Sequence, residues 1–74
     1  MIEVISTLKK LKFDFIPQDG CDAFSKKYKG FILFIVIAPT GKILSSITVR
    51  NLEISLPNIP DAEWVANFDK ENQN

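Results

Sequence analysis

Residues 31–38, FILFIVIA, form an unbroken run of eight apolar side chains, and PTGKI follows at once. No other feature limits the fold so strongly. As a helix the run would rise only about 12 Å, whereas a membrane crossing needs roughly 20 apolar residues. Pro39 stops it and Lys42 follows, which excludes a membrane span here. As a strand the same residues extend about 26 Å, the length of a central strand. Pro39 and Thr40 suit the middle of a type I turn and Gly41 the left-handed position after it, so a three-residue hairpin loop is predicted. Ala38 then stands opposite Lys42. On one face the register sets Ile37 against Ile43, Ile35 against Ser45, Leu33 against Ile47 and Phe31 against Val49. The other face sets Val36 against Leu44, Phe34 against Ser46 and Ile32 against Thr48. A slip of one residue would mix the two sets, so pattern and turn agree on one register.

The rest of the chain is read outward from this hairpin. Over residues 1–12, Met1, Val4, Ile5, Leu8 and Leu11 repeat at helical spacing, with lysines gathered near the helix's negative end. Phe-Asp-Phe-Ile at 13–16 alternates as a short strand. In PQDG, Pro17 suits the second position of a turn and Gly20 a positive φ. Residues 21–29 admit two readings. Phe24, Lys26 and Tyr28 share one face of a strand, which is preferred. Alternatively, Asp22 caps a short helix that Gly30 ends. Beyond Arg50 the apolar phase changes from odd to even positions, so a bulge or turn is expected near Arg50 and Asn51. LPNIP breaks the chain. Asn58 is the expected cap of a last helix, with Ala62, Val65 and Phe68 on one side, Trp64 adjoining, and a frayed tail over 70–74. The whole chain, 1–74, reads as one small α+β domain: an N-terminal helix, an antiparallel meander of three to four strands and a C-terminal helix in two layers.

A domain of 74 residues lies near the stability margin, and such domains often add a disulfide, a metal or a second subunit. Cys21 is the single cysteine, so no internal disulfide can form, and there is no histidine, the commonest metal ligand. Self-association is the remaining device. The unpaired cysteine suits a reducing compartment, and MIEVISTLKKL places Glu3 early and its lysines late, unlike a secretory signal. A cytoplasmic location is expected. Net charge is zero, yet residues 1–50 carry eight basic and four acidic side chains, and residues 51–74 carry one and five. A solvated surface accounts for that split, and so does a dipolar molecule whose ends attract complementary partners.

Catalytic material is scarce. Without histidine no Ser-His or Cys-His pair can exist. Cys21 stands in a turn between Gly20 and Asp22 and reads as an inert thiol. Asp14, Asp19 and Asp22 surround one turn, but their spacing matches no calcium loop, and turns recruit aspartate in any case. The three glycines are too dispersed to cradle a phosphate. No cofactor, metal or small-molecule substrate is implied. Lys26, Lys27 and Lys29 around Tyr28 form the one basic-aromatic cluster, the arrangement that neutralises phosphates and stacks bases. A pI near 6.1 and a single arginine, Arg50, weigh against a nucleic-acid reader. Lysines that protect an edge strand from aggregation explain the same residues.

VISTLKKLKFDF, YKGFILFIVIAPTGKI and LPNIPDAEWVANF, taken together, resemble the first half of the YbjN-like, type III secretion chaperone-like fold. The resemblance covers most of the chain and lies in architecture; that family's fold carries two further strands and a helix beyond the part matched. It implies a dimeric protein-binding module.

One helix covers one face of a small sheet. The other face would show Ile32, Phe34, Val36 and Leu44, each worth about 1.5–3 kcal/mol when buried. The last helix, a second subunit or another protein could cover it. The sequence therefore points to a small non-enzymatic interaction module of the adaptor, inhibitor, immunity or chaperone kind. It is expected to form a homodimer through an apolar sheet face or edge, with Ile32, Phe34, Val36 and Leu44 in contact and Trp64 and Phe68 as aromatic anchors. The alternative is a nucleic-acid binder using Lys26, Lys27, Tyr28 and Lys29.

Overall fold

The computed structural model of the chain describes residues 2–73. Met1, assigned above to the apolar side of the first helix, and Asn74, at the end of the expected tail, lie outside the described residues. Helix α1, Ile2–Lys10, buries Val4 and Leu8 one turn apart, with Ile5 and Leu11 packed beside them. It ends in a left-handed residue, Lys12, at φ 66°. The amide of Phe13 donates to the Leu8 carbonyl and that of Lys12 to the Lys9 carbonyl, both at 3.0 Å. These two bonds satisfy the last carbonyls of the helix, and the buried side chains of Leu8 and Phe13 seal the turn.

Five strands follow: β1 (Asp14–Gln18), β2 (Cys21–Tyr28), β3 (Phe31–Ile37), β4 (Ile43–Val49) and β5 (Leu52–Ser55). They form one antiparallel meander in the order β1-β2-β3-β4-β5. The α+β architecture stands as expected, with one strand more than the three to four predicted. The β3–β4 register is the predicted one from Ile37 opposite Ile43 to Ile32 opposite Thr48. Ala38 donates to the Lys42 carbonyl at 2.8 Å, and Gly41 takes φ 90°, which closes the three-residue loop. Residues 21–28 are strand, so the helical alternative capped by Asp22 is excluded.

The extra strand explains the change of phase in the sequence. Arg50 and Asn51 take φ 49° and 69°, the positive pair of a two-residue hairpin turn. Such a turn pairs odd residues with even ones, so Ile47 lies opposite Ile54 and Val49 opposite Leu52 on one face. Asp19 and Gly20, at φ 51° and 77°, make the same kind of turn between β1 and β2. Pro17 is therefore not a turn residue: it lies within the edge strand β1, where its missing N–H costs no ladder bond.

Helix α2, Ala62–Asn72, is capped by Asp61, whose Oδ1 accepts from the Trp64 amide at 2.7 Å. Asn58, the expected cap, instead accepts a 3.2 Å bond from Ser45 Oγ through its carbonyl. That bond and buried Pro60 hold the LPNIP segment across the end of the sheet. The helix runs on through residues 70–72, the first part of the expected tail.

Both helices lie on the same side of the sheet. Val4 and Leu8 of α1 and Val65 of α2 join Phe13, Phe24, Tyr28, Leu33, Ile35 and Ile37 in a single core. The last helix therefore leaves the second sheet face uncovered.

Candidate functional site

Period-two alternation sends Ile16, Ala23, Phe34, Val36 and Leu44 to the face away from the helices. The pairing sets Ile16, Ala23, Val36 and Leu44 side by side across four strands. Phe34 lies in the next row between Ser25 and Ser46, and Ile32 in the row beyond, between Lys27 and Thr48. Leu44 stays 52% and Ile16 50% exposed, although each has same-face neighbours, so none of the described residues covers this stripe. Ile32, Phe34 and Val36 are half-buried. A shallow hollow of about 250 Å³ runs between Ile16, Ala23, Phe34, Val36 and Thr48, with Gln18 and Glu53 at its two sides. The centre is thus apolar and the margin polar, the arrangement of a protein-binding patch.

The opposite face holds the other notable cluster. Asp69, only 1% exposed, accepts from Lys26 Nζ at 2.6 Å, Tyr28 Oη at 2.7 Å and Gln73 Nε2 at 2.6 Å. Lys26 also donates to the Leu11 carbonyl at 2.9 Å. Burial by itself would raise the Asp69 carboxyl. The hydrogen bonds from Lys26, Tyr28 and Gln73, together with the Lys26 charge, outweigh burial and hold it below the usual carboxylate range. Burial first, and then the bond to Asp69 and its negative charge, push the Tyr28 phenol well above its ordinary value. The aromatic rings of Tyr28, Phe31, Phe68 and Trp64 pack alongside, with Trp64 and Phe68 stacked at 5.1 Å and Tyr28 meeting Phe68 edge-on at 5.6 Å. This network pins α2 to β2 and joins the end of α1 to both.

The residues singled out in the sequence are therefore divided. Ile32, Phe34, Val36 and Leu44 come together on the open face. Trp64 and Phe68 do not join them: they belong to the packing between α2 and the sheet. Lys26 and Tyr28 turn toward the helices, Lys27 faces the other way, and Lys29 lies in the turn before Gly30. The four residues of the nucleic-acid alternative do not lie together on one face of the sheet. Asp69 was missed, because it opens the polar stretch DKENQN. Its signal was Lys26, a charge at a core-facing strand position between Phe24 and Tyr28, which requires a buried acid as its partner. Ile16, on a strand read as ending there, was also missed.

Among the described residues, no three His, Cys, Asp or Glu side chains gather as a metal site would require, and no helix is long and apolar enough to cross a membrane. Comparison with protein-family models, with curated proteins and with solved structures finds no match to this chain.

Proposed function

We propose that this chain is a small, non-enzymatic protein-interaction module that self-associates and uses its open sheet face as the contact. One observation carries the reading: both helices pack on the same side of the sheet, which leaves Ile32, Phe34, Val36 and Leu44 unpartnered on the other. Five strands of up to seven or eight residues give a face about 24 Å on each side, the size of a small interface. The occupant is a second copy. The face is largely uncharged: serine and threonine border the stripe, and Asp14, Lys27 and Glu53 lie at its margins, so two such faces meet without a run of like charges. The architectural resemblance to the YbjN-like, type III secretion chaperone-like fold favours the same class of adaptor, inhibitor, immunity or chaperone-like protein. The lone cysteine favours the cytoplasm as its place of action.

Light scattering coupled to size exclusion tests the reading over a range of concentrations. The wild-type chain gains mass as concentration rises. Phe34→Asp loses part or all of that gain while its circular dichroism is unchanged. A mass independent of concentration, together with unaltered solubility in Phe34→Asp, overturns the reading.

A further inference from the structure

We infer that β5 also pairs edge to edge with β5 of a second copy, antiparallel, about a two-fold axis at Ile54. This deepens the self-association proposed above but rests on a different part of the molecule. The Leu56 amide donates to the Ser45 carbonyl at 2.9 Å, and Val49 pairs with Leu52 across the two-residue turn. Leu52, Ile54 and Leu56 therefore direct their backbone groups to β4, while Glu53 and Ser55 direct theirs outward. Among the described residues β5 is the last strand of the sheet, so those outward groups form an open edge.

The two edges of the sheet are not equivalent. Gln18 pairs with Cys21 across the first turn, so Phe15 and Pro17 are the outward residues of β1. Pro17 has no N–H to offer and blocks that edge. A contact from β1 to β5 would also be heterologous and would propagate into rows of subunits, whereas β5 on β5 closes as a dimer.

The sequence of β5 then selects one register. Bonded pairing must set outward residues opposite each other. Glu53 against Glu53 opposes two carboxylates, which is destabilising. Ser55 against Ser55 places Pro57 opposite Glu53 and loses a donor. Glu53 against Ser55 loses nothing. It also sets Ile54 against Ile54 on the axis and Leu52 against Leu56. Leu52 and Ile54 are 69% and 49% exposed in the single chain. The Glu53–Glu53 register would also pair them with each other, so the opposed carboxylates decide against it, and the Ser55–Ser55 register would set Leu52 opposite Asn58. The contact is short, so the dimer is concentration-dependent. It joins two five-stranded sheets into one of ten and places both Phe34 faces on the same side.

Single cysteines in a Cys21→Ser background test this. Under mild oxidation Ile54→Cys forms a disulfide dimer at least ten-fold faster than Glu53→Cys or Ser55→Cys alone, because only residue 54 meets its own copy. An equimolar mixture of Glu53→Cys and Ser55→Cys cross-links faster than either variant by itself. Ser55→Pro, which removes an outward N–H and no ladder bond within the chain, abolishes the edge dimer in light scattering while remaining folded. Equal rates at 53, 54 and 55, or an unchanged mass in Ser55→Pro, overturn the inference. Adding Phe34→Asp leaves the Ile54→Cys cross-link in place, so loss of the face contact and loss of the edge contact are read separately.

Discussion

The two faces of β3 share one strand and nearly one composition, yet they have opposite fates. Leu33 and Ile35 are fully buried beneath the helices, whereas Phe34 and Val36, their immediate neighbours, look out across the open face. Hydrophobicity along β3 does not separate them. The difference is carried by β4, which adds Ile43 and Ile47 to the covered side and Ser46 and Thr48 to the open one. A strand with apolar residues on both faces is ambiguous alone, and its partner strand resolves which side the chain covers for itself.

The widest separation between the faces comes from truncating adjacent residues. Leu33→Ala leaves a hole in a closed core and costs about 3–4 kcal/mol. Phe34→Ala, which removes more carbon, costs the isolated chain about 1 kcal/mol or less, because its site is already half open to water. Urea titration at low protein concentration compares the two. Equal losses would mean that the open face is covered within the chain.

Asp69 extends the contrast to charge. Asp69→Ala strands Lys26 and Tyr28 beneath α2 and costs about 3 kcal/mol, whereas Glu53→Ala at the margin of the open face changes stability by less than about 0.5 kcal/mol. The pH dependence follows from the shifts. In the unfolded chain Asp69 takes up a proton near its ordinary value of 3.8, and the folded chain resists protonation to lower pH. Its contribution is therefore complete above that value and declines as pH falls below it, toward the folded value. Tyr28 is raised, so its contribution is complete below its ordinary value of 10.0 and declines as pH rises above it. Thermal melts from pH 2 to pH 12 should show both declines. Asp69→Asn should flatten the acid limb and Tyr28→Phe the alkaline one, with Tyr28→Phe costing about 1–2 kcal/mol at neutral pH. An unchanged acid limb in Asp69→Asn would assign that limb to other carboxylates.

These elements were unequally legible in the sequence. The β3–β4 register could be read because side-chain alternation and the Pro39-Thr40-Gly41 turn specify it independently. The phase change after Arg50 marked a turn, but the parity rule of a two-residue hairpin was needed to see that it adds a strand on the same faces. The docking side of α2 could not be read, since Val65, Phe68 and Trp64 form an apolar side that suits either sheet face. That choice depends on Lys26 and Asp69, which lie 43 residues apart and meet only in the folded chain. Trp64 and Phe68 consequently looked like interface anchors, whereas Phe68 packs against Tyr28 and Phe31 and Trp64 stacks on Phe68. The open face itself was legible as a surface needing cover, because Ile32, Phe34 and Val36 exceed what one helix can bury.

The finest contrast lies between two serines adjacent in β4. Ser45 points to the helix side, is buried, and donates to the Asn58 carbonyl at 3.2 Å. Ser46 points to the open face opposite Phe34 and has only solvent and its strand neighbours. Ser45→Ala removes the bond that holds the LPNIP segment across the sheet end. Asn58 is itself exposed, so water can replace the lost donor and the cost falls to about 0.5–1 kcal/mol. Ser46→Ala removes no such bond and leaves stability within about 0.5 kcal/mol of the wild type. It also enlarges the apolar stripe beside Phe34, so it should raise the mass seen by light scattering at high concentration. A loss of stability in Ser46→Ala equal to that in Ser45→Ala would show that the hydroxyl side of β4 does not mark the open face.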